Sequence, residues 1–407
     1  MLKKAVVYGL IFVFAVFSLM QAVPNIKAGT QTGFILASAG KDGQIGTGDD
    51  IAATESEKAN IGRPAEVSTA DAVLSAALGV QSKALRQPNS DEIVIRKAEE
   101  LAKIGVDPNY PLNGKYILMA DIDLSGYTNW VPIGSPSTPF SGQFDGNGFT
   151  IKNLTINRPT SNYQGLFSCT NSSAKLMNIK LENVNVNGYG STGALVGENK
   201  GTITNSYSVG NVTGAGFVSG SPGGVGGLVG NNYGSISSSW SAASVTGNRD
   251  IGGLVGGNAG FIKYCYATGN VQGSFATGGL AGSNQNGTIT NSYSMSNVEG
   301  SDQRTGGLVG HNNGTITNSY AAGSIQGVYF VGGLVGYNDY GTTTSSYWDI
   351  QKSGITTSSG GIGKTTAQMK TQSTFVNWDF TNVWAIDEGK SYPYLRVNEQ
   401  KPHPGTN

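Results

Sequence analysis

One short phrase recurs six times and fixes most of what this chain can become. GALVG at residues 193–197 returns as GGLVG at 226–230 and 252–256, as GGLAG at 278–282, and as GGLVG at 306–310 and 332–336. The central leucines, Leu195, Leu228, Leu254, Leu280, Leu308 and Leu334, stand 33, 26, 26, 28 and 26 residues apart. An aromatic follows each leucine by 12 or 13 residues: Tyr207, Trp240, Tyr266, Tyr293, Tyr320 and Tyr347. Repetition at this period means stacked units, each too small to bury its own apolar face until a neighbour covers it. The expected fold is therefore all-β, a predominantly parallel β-solenoid, with a right-handed β-helix preferred. Leucine stacks on leucine and aromatic on aromatic through one shared interior, with coils about 4.8 Å apart.

The glycines bounding each leucine permit turns and close backbone approach that a Cβ would obstruct. The one long interval holds VTGAGFVSGSPGGV and can eject its surplus as a loop without disturbing the stacked positions. Within GGLVGHNNGTITNSYAAGSIQG the inward candidates are Leu308, Ile316, Tyr320 and Ile325. Asn312 and Asn318 read as turn or ladder residues, since asparagine bonds nearby backbone and tolerates positive φ.

The flanks differ in kind. Lys3 and Lys4 precede an apolar run from Ala5 to Met20, with small residues at Ala22 and Ala28, so residues 1–28 have the order of a secretory signal. Residues 29–110 carry 12 acidic and 8 basic side chains, against 7 and 6 across the much longer stretch 161–350. That drop marks a boundary near Pro111. Before it we expect a polar loop and a short α-helical accessory region, with one helix over 68–79 and a second over 89–105, each opened by cap or acidic residues and closed by glycine. Residues 111–192 read as opening coils, 193–350 as the repeat array, 351–397 as an aromatic cap over the last coil, and 398–407 as a flexible tail.

Formal net charge is 0, with only 13% charged residues, which leaves no basic footprint for a nucleic-acid backbone. The two cysteines, Cys169 and Cys265, lack CxxC or histidine spacing and read as small core residues. Only His311 and His403 occur. His311 fills a repeat position held elsewhere by Asn231, Gly257, Ser283 and Tyr337, and is expected as an exposed turn residue rather than a catalytic base. Asp121 and Asp123 in ADIDL, with Asp145 in FDGNG, form the one carboxylate group that a glycosidase reading could use. Their plainer use is as turn acceptors. Asp42, Asp49 and Asp50 lie in a glycine-rich loop whose hard oxygen ligands suit calcium, though not in EF-hand spacing. Trp378, Trp384, Tyr392 and Tyr394 would make a glycan platform if neighbouring rings were exposed.

The Gly-Leu-Val-Gly units, followed by Gly-Thr-Ile-Thr-Asn-Ser-Tyr, resemble the GLUG repeat family of bacterial secreted and surface proteins, which includes regions of immunoglobulin-cleaving proteases and adhesins. The resemblance covers about residues 193–348. FDGNGFTIKNLTI looks like the opening of such a region, and the stretch from 365 to 396 like the segment that often closes one. It implies a location outside the cytoplasm and near the cell surface, and transfers no proteolytic activity. The expected role is structural or adhesive, presenting a solenoid surface to a cell-envelope component, glycan or surface protein. The alternatives are a carbohydrate-binding or carbohydrate-active β-helix and a self-associating filament subunit.

Overall fold

The computed structural model describes residues 85–215, 217–218, 221–398 and 400–406. The expected signal, the aspartate loop with Asp42, Asp49 and Asp50, and the helix over 68–79 lie outside the described residues.

From Ile93 the chain winds as a parallel β-solenoid whose wall is three sheets. One coil shows how sequence becomes wall. Val309–Asn312 lies in the third sheet and Thr315–Thr317 in the first. Tyr320–Ala321, Ile325–Gln326 and Tyr329–Gly332 lie in the second. Val335 then stands beside Val309, one coil further on. In Thr315–Thr317 the threonines face out and Ile316 faces in, the period-two alternation of a strand with one buried side. Ile203, Ile236, Ile262, Ile289 and Ile316 consequently pair in register down the first sheet.

The leucine row is interior. All six repeat leucines are fully buried, each worth about 1.5–3 kcal/mol by transfer from water. Their backbones form their own ladder: the Leu254 N–H donates to the Leu280 carbonyl, Leu280 to Leu308 and Leu308 to Leu334, each at 2.9 Å. A Cβ on Gly307 would lie 2.3 Å from the Gly333 carbonyl oxygen one coil away, so glycine is required there. A second polar ladder runs beside it. Asn199, Asn232, Asn258, Asn284 and Asn312 each donate Nδ2 to the next asparagine's Oδ1 at 2.7–2.8 Å, ending on Asn338. Asn205, Asn291 and Asn318 turn the chain at φ of 50°, 47° and 47°.

The aromatic row is not in that interior, which corrects the expectation of one shared core. Each ring is followed at once by an inward-facing small residue, Ser208, Ser241, Ala267, Ser294 or Ala321, so alternation sends the ring outward. Tyr207, Trp240, Tyr266, Tyr293 and Tyr320 stack outside the wall, with centroids 4.3, 5.6, 4.9 and 5.0 Å apart and planes within 12°. At the array's end the inward place is taken by Trp348, which plugs the last coil and donates Nε1–H to the Ile355 carbonyl at 3.1 Å.

Only the first part of the C-terminal segment caps the last coil, with Ile362–Lys364 pairing on Tyr347–Asp349 and the Ser359 N–H on the Val335 carbonyl; the aromatic part that follows is a strap along this outer ladder. Met369, Phe375, Trp378, Trp384, Tyr392 and Leu395 form one buried cluster with Tyr266, Tyr293, Tyr320 and Tyr347. Polar bonds fix its path back across the coils. Trp378 Nε1–H donates to the Ser345 carbonyl at 2.8 Å, the Tyr320 hydroxyl to the Pro393 carbonyl at 2.7 Å, and Asn398 Nδ2 to the Tyr264 carbonyl at 3.2 Å. The stretch beyond 398 also belongs to it, since the Tyr293 hydroxyl donates to Gln400 at 2.9 Å.

The N-terminal expectation also changes. Residues 89–105 are α-helical only over Ala98–Leu101, while Ile93–Ile95 is the first strand of the solenoid and pairs in parallel with Tyr116–Leu118. Ile-Val-Ile is β-branched throughout, and an open sheet edge beside it outweighs the helical spacing of its apolar residues. The β region therefore begins ahead of Pro111. The long interval behaves as expected: Phe217–Val218 and Ser221–Pro222 pair antiparallel as an ejected hairpin, and Thr192 still pairs with Val225.

Candidate functional site

The chain passes from the second sheet into the third through a left-handed backbone residue. Tyr163, Ser191, Asp250, Ala276, Arg304 and Phe330 hold this corner at φ between 49° and 64°. They share no side-chain chemistry, so a search for repeated letters passes over them. What they share is the seat beneath. A Cβ on Gly282 would lie 2.3 Å from the Asp250 carbonyl carbon, and one on Gly310 2.6 Å from that of Ala276. The last glycine of each GLVG phrase is thus the seat for the preceding coil's corner.

Beside the locked corners, Arg249, Phe275, Arg304 and the third-sheet residue Tyr337 form an axial row. The guanidinium carbons of Arg249 and Arg304 each lie 4.6 Å from the Phe275 ring centroid, and Arg304 lies 4.8 Å from that of Tyr337. Phe330 meets Tyr337 edge-on at 5.3 Å. Cation and ring alternate along the row, each contact worth about 0.5–2 kcal/mol. Asp250 is buried below, and burial pushes its carboxyl up to about 6 despite the opposing charge of Arg249. His311 is half-buried beside Arg304 rather than an exposed turn residue, because it lies in a strand of the third sheet between Ser283 and Tyr337. Burial and then Arg304 hold its imidazole below the ordinary range, so it is neutral at pH 7. The arrangement is a rigid rim of guanidinium edges and aromatic rings.

The other sites expected from sequence fall elsewhere. Asp121 accepts the Thr150 N–H at 2.8 Å. Asp123 accepts Asn153 Nδ2 and the Ser125 N–H, both at 2.8 Å, and these bonds hold its carboxyl below the usual range. A general acid needs the opposite shift. Asp145 accepts the Asn147 N–H, Asn178 Nδ2 and Arg86 Nη2 at 2.8, 2.8 and 3.0 Å. Each carboxylate is committed to a turn. The glycan platform is overturned for three of its rings: Trp378, Trp384 and Tyr392 are strap residues buried against the tyrosine ladder. The fourth, Tyr394, is half-buried and stacks on His403 at 3.9 Å. Cys169 and Cys265 are buried free thiols, pushed up by burial to about 11 and about 12. Cys265 takes a place in a buried serine row, its N–H donating to Ser292 Oγ at 3.2 Å. Among the described residues no cluster of His, Cys, Asp and Glu could hold a metal ion, and no helix is long and apolar enough to cross a membrane.

Stacked parallel coils, internal ladders and an ejected hairpin define a parallel β-solenoid repeat protein. The GLUG motif matches three tandem stretches of it, residues 247–272, 273–299 and 301–326. Halomucin of Haloquadratum walsbyi is 36% identical over 119 residues, covering 26% of this chain and 1% of that protein. A protein of Evansella cellulosilytica, provisionally named a Gly-rich membrane protein, is 38% identical over 96 residues, covering 22% of this chain and 11% of that one. The chain thus matches only a small part of these relatives' lengths. A crystal structure from Bacteroides ovatus, of a protein provisionally named an immunoglobulin A1 protease, superposes with a TM-score of 0.53 at 23% identity. The alignment covers 76% of this chain and 94% of that one, and it speaks for the fold alone.

Proposed function

We propose that this is a secreted or cell-surface repeat protein, a rigid display scaffold without chemistry of its own, whose corner row makes adhesive contact with a protein of the cell envelope. One observation carries the reading: Arg249, Phe275, Arg304 and Tyr337 form a preorganised row of the residue types that dominate protein interfaces, held on locked backbone. A protein is favoured over a glycan because both guanidiniums occupy the neighbourhood of the Phe275 ring, leaving edges rather than an open face for a sugar to stack on. The surface location draws support from the relatives, one named a mucin and one a membrane protein.

The test has two arms. Protease treatment of intact cells should cleave the mature chain, and recovery of bound proteins should give a partner that the Phe275→Ala/Arg304→Ala double variant loses at unchanged secondary structure. A chain found only in the cytoplasm would end the surface reading. Equal recovery with the double variant would end the role of the corner.

A further inference from the structure

The two axial ends of the corner between the second and third sheets carry surfaces that fit one another. At the C-terminal end the corner row finishes in Val328, Tyr329 and Phe330, which are 57%, 62% and 55% exposed. Earlier corners at this level, Asn248-Arg249-Asp250, Ser274-Phe275-Ala276 and Asp302-Gln303-Arg304, carry a single large apolar side chain, and Phe275 is flanked by the Arg249 and Arg304 guanidiniums. Each of those residues at the positions of Asp250, Ala276 and Arg304 rests on a glycine of the following coil, Gly282, Gly310 and Gly336. Phe330 repeats their backbone conformation, at φ 52°, where among the described residues the third sheet has no further strand to supply such a seat. Ser359 covers part of that sheet end by donating its N–H to the Val335 carbonyl, and the apolar corner stays open.

At the N-terminal end the third sheet starts short. The first sheet begins at Ile93, whereas the third begins at Phe167, with Ile133 joined to it by a single bridge. The place of a preceding coil is a cavity of about 420 Å³ between the segment after the short helix and the approach to Ile133. Its walls are largely apolar, formed by Ile104, Val106, Leu112, Trp130, Val131 and Ile133. Val106 and Val131 stand at the rim, 83% and 68% exposed. The polar wall groups are already used, with Trp130 Nε1–H on the Leu166 carbonyl and Ser135 Oγ on Thr138 Oγ1. The cavity lies in the size range of ligand pockets and matches an aromatic side chain better than a polar ligand.

We propose that the chain self-associates head to tail, with Tyr329 and Phe330 of one copy seated in the Trp130–Val131 cavity of the next. The two surfaces differ, so the contact is heterologous, and a joined pair keeps one unused end of each kind. Such a contact extends into an open chain rather than closing as a dimer. Charge does not oppose it locally, since neither Val328, Tyr329 and Phe330 nor the lining of the cavity includes a charged side chain. The inference is independent of where the protein resides or what its corner row binds.

Sedimentation of the full mature chain over a concentration series tests it. The weight-average mass should climb past that of a dimer without levelling. Phe330→Asp and Val131→Asp should each raise the midpoint concentration at least tenfold, and both sites are exposed enough to leave the fold intact by circular dichroism. An equimolar mixture of the two variants is the decisive arm, because one keeps a sound cavity and the other a sound corner. It should form dimers that grow no further. A wild-type chain that stays monomeric, a mixture that stays monomeric, or recovery of a different protein in the cavity without self-association would each overturn the proposal.

Discussion

The leucine row and the aromatic row repeat with one period along the same coils, yet they are buried by different means. Leu254, Leu280 and Leu308 are covered by the coils above and below and by the opposite wall. Tyr266, Tyr293, Tyr320 and Tyr347 are covered by a strap that comes from outside the array. Tyr207 and Trp240, outside the fully buried cluster, remain half-buried. A repeat period therefore identifies equivalent positions without saying which side of the wall they occupy. Side is set by phase within the two-residue alternation, and the small residue after each aromatic already encodes it.

Removing the strap, by ending the chain after Lys364, should have the largest effect. It uncovers Tyr266, Tyr293, Tyr320 and Tyr347, rings of about 150–250 Å² each, with a loss by area of at most about 15–25 kcal/mol. Hydrogen exchange should quicken most at Tyr293 and Tyr320 and much less at Leu280 and Leu308. Equal loss of protection at both rows would break the comparison, since it would make the strap part of one continuous core.

Leu280→Ala acts on the other row. It opens a cavity inside the coil and should cost about 2–5 kcal/mol in denaturant unfolding. The strap cannot compensate, because it lies on the far side of the wall. A cost below about 1 kcal/mol would mean that the coils close onto the gap, and that the row is less rigid than its uninterrupted backbone ladder implies.

The phrases that could be read directly are those whose letters repeat for a packing reason. GGLVG and the asparagine of VGxN name stacked interior places, and the motif alone led to a solenoid. The corner was not legible, because Tyr163, Ser191, Asp250, Ala276, Arg304 and Phe330 share a backbone conformation and a glycine seat but no side-chain type. The strap was misread for a related reason: its aromatics reveal that they must be buried, not whether against the end or the side of the stack. Ile93–Ile95 was misread because a neighbouring strand edge, invisible locally, decided between helix and strand. Asp42, Asp49 and Asp50 stay where sequence left them, outside the described residues.

Asp250 separates the corner from Glu92 and Asp123 by the sign of its pH response. In the folded chain it holds its proton up to about 6, against about 3.9 in an unfolded chain. Between those values the folded form binds the extra proton, so this group's contribution to stability falls as pH rises through the window and stays low above it. Glu92 and Asp123, held below their ordinary values, contribute in the opposite sense and lose their stabilisation as pH falls. Asp250→Asn keeps a residue that tolerates the left-handed turn and removes the titration. Its stability should exceed wild type by about 1–3 kcal/mol above pH 6 and converge with it near pH 4. A difference that is flat with pH would mean that Arg249 and Arg304 already compensate the buried charge.

Trp240→Ala should give the smallest change and the finest discrimination. The ring stacks on Tyr207 at 4.3 Å and on Tyr266 at 5.6 Å, and among the described residues no strap ring pairs with it in the way Trp384 meets Tyr293 at 6.1 Å. Stacking alone is worth about 0.5–1.5 kcal/mol, and the loss should fall in that range. Tyr293→Ala, the same kind of truncation under the strap, should cost about 3–5 kcal/mol. If the two truncations cost the same, cover by the strap would add nothing to stacking, and the outer ladder would owe its order to the coils alone.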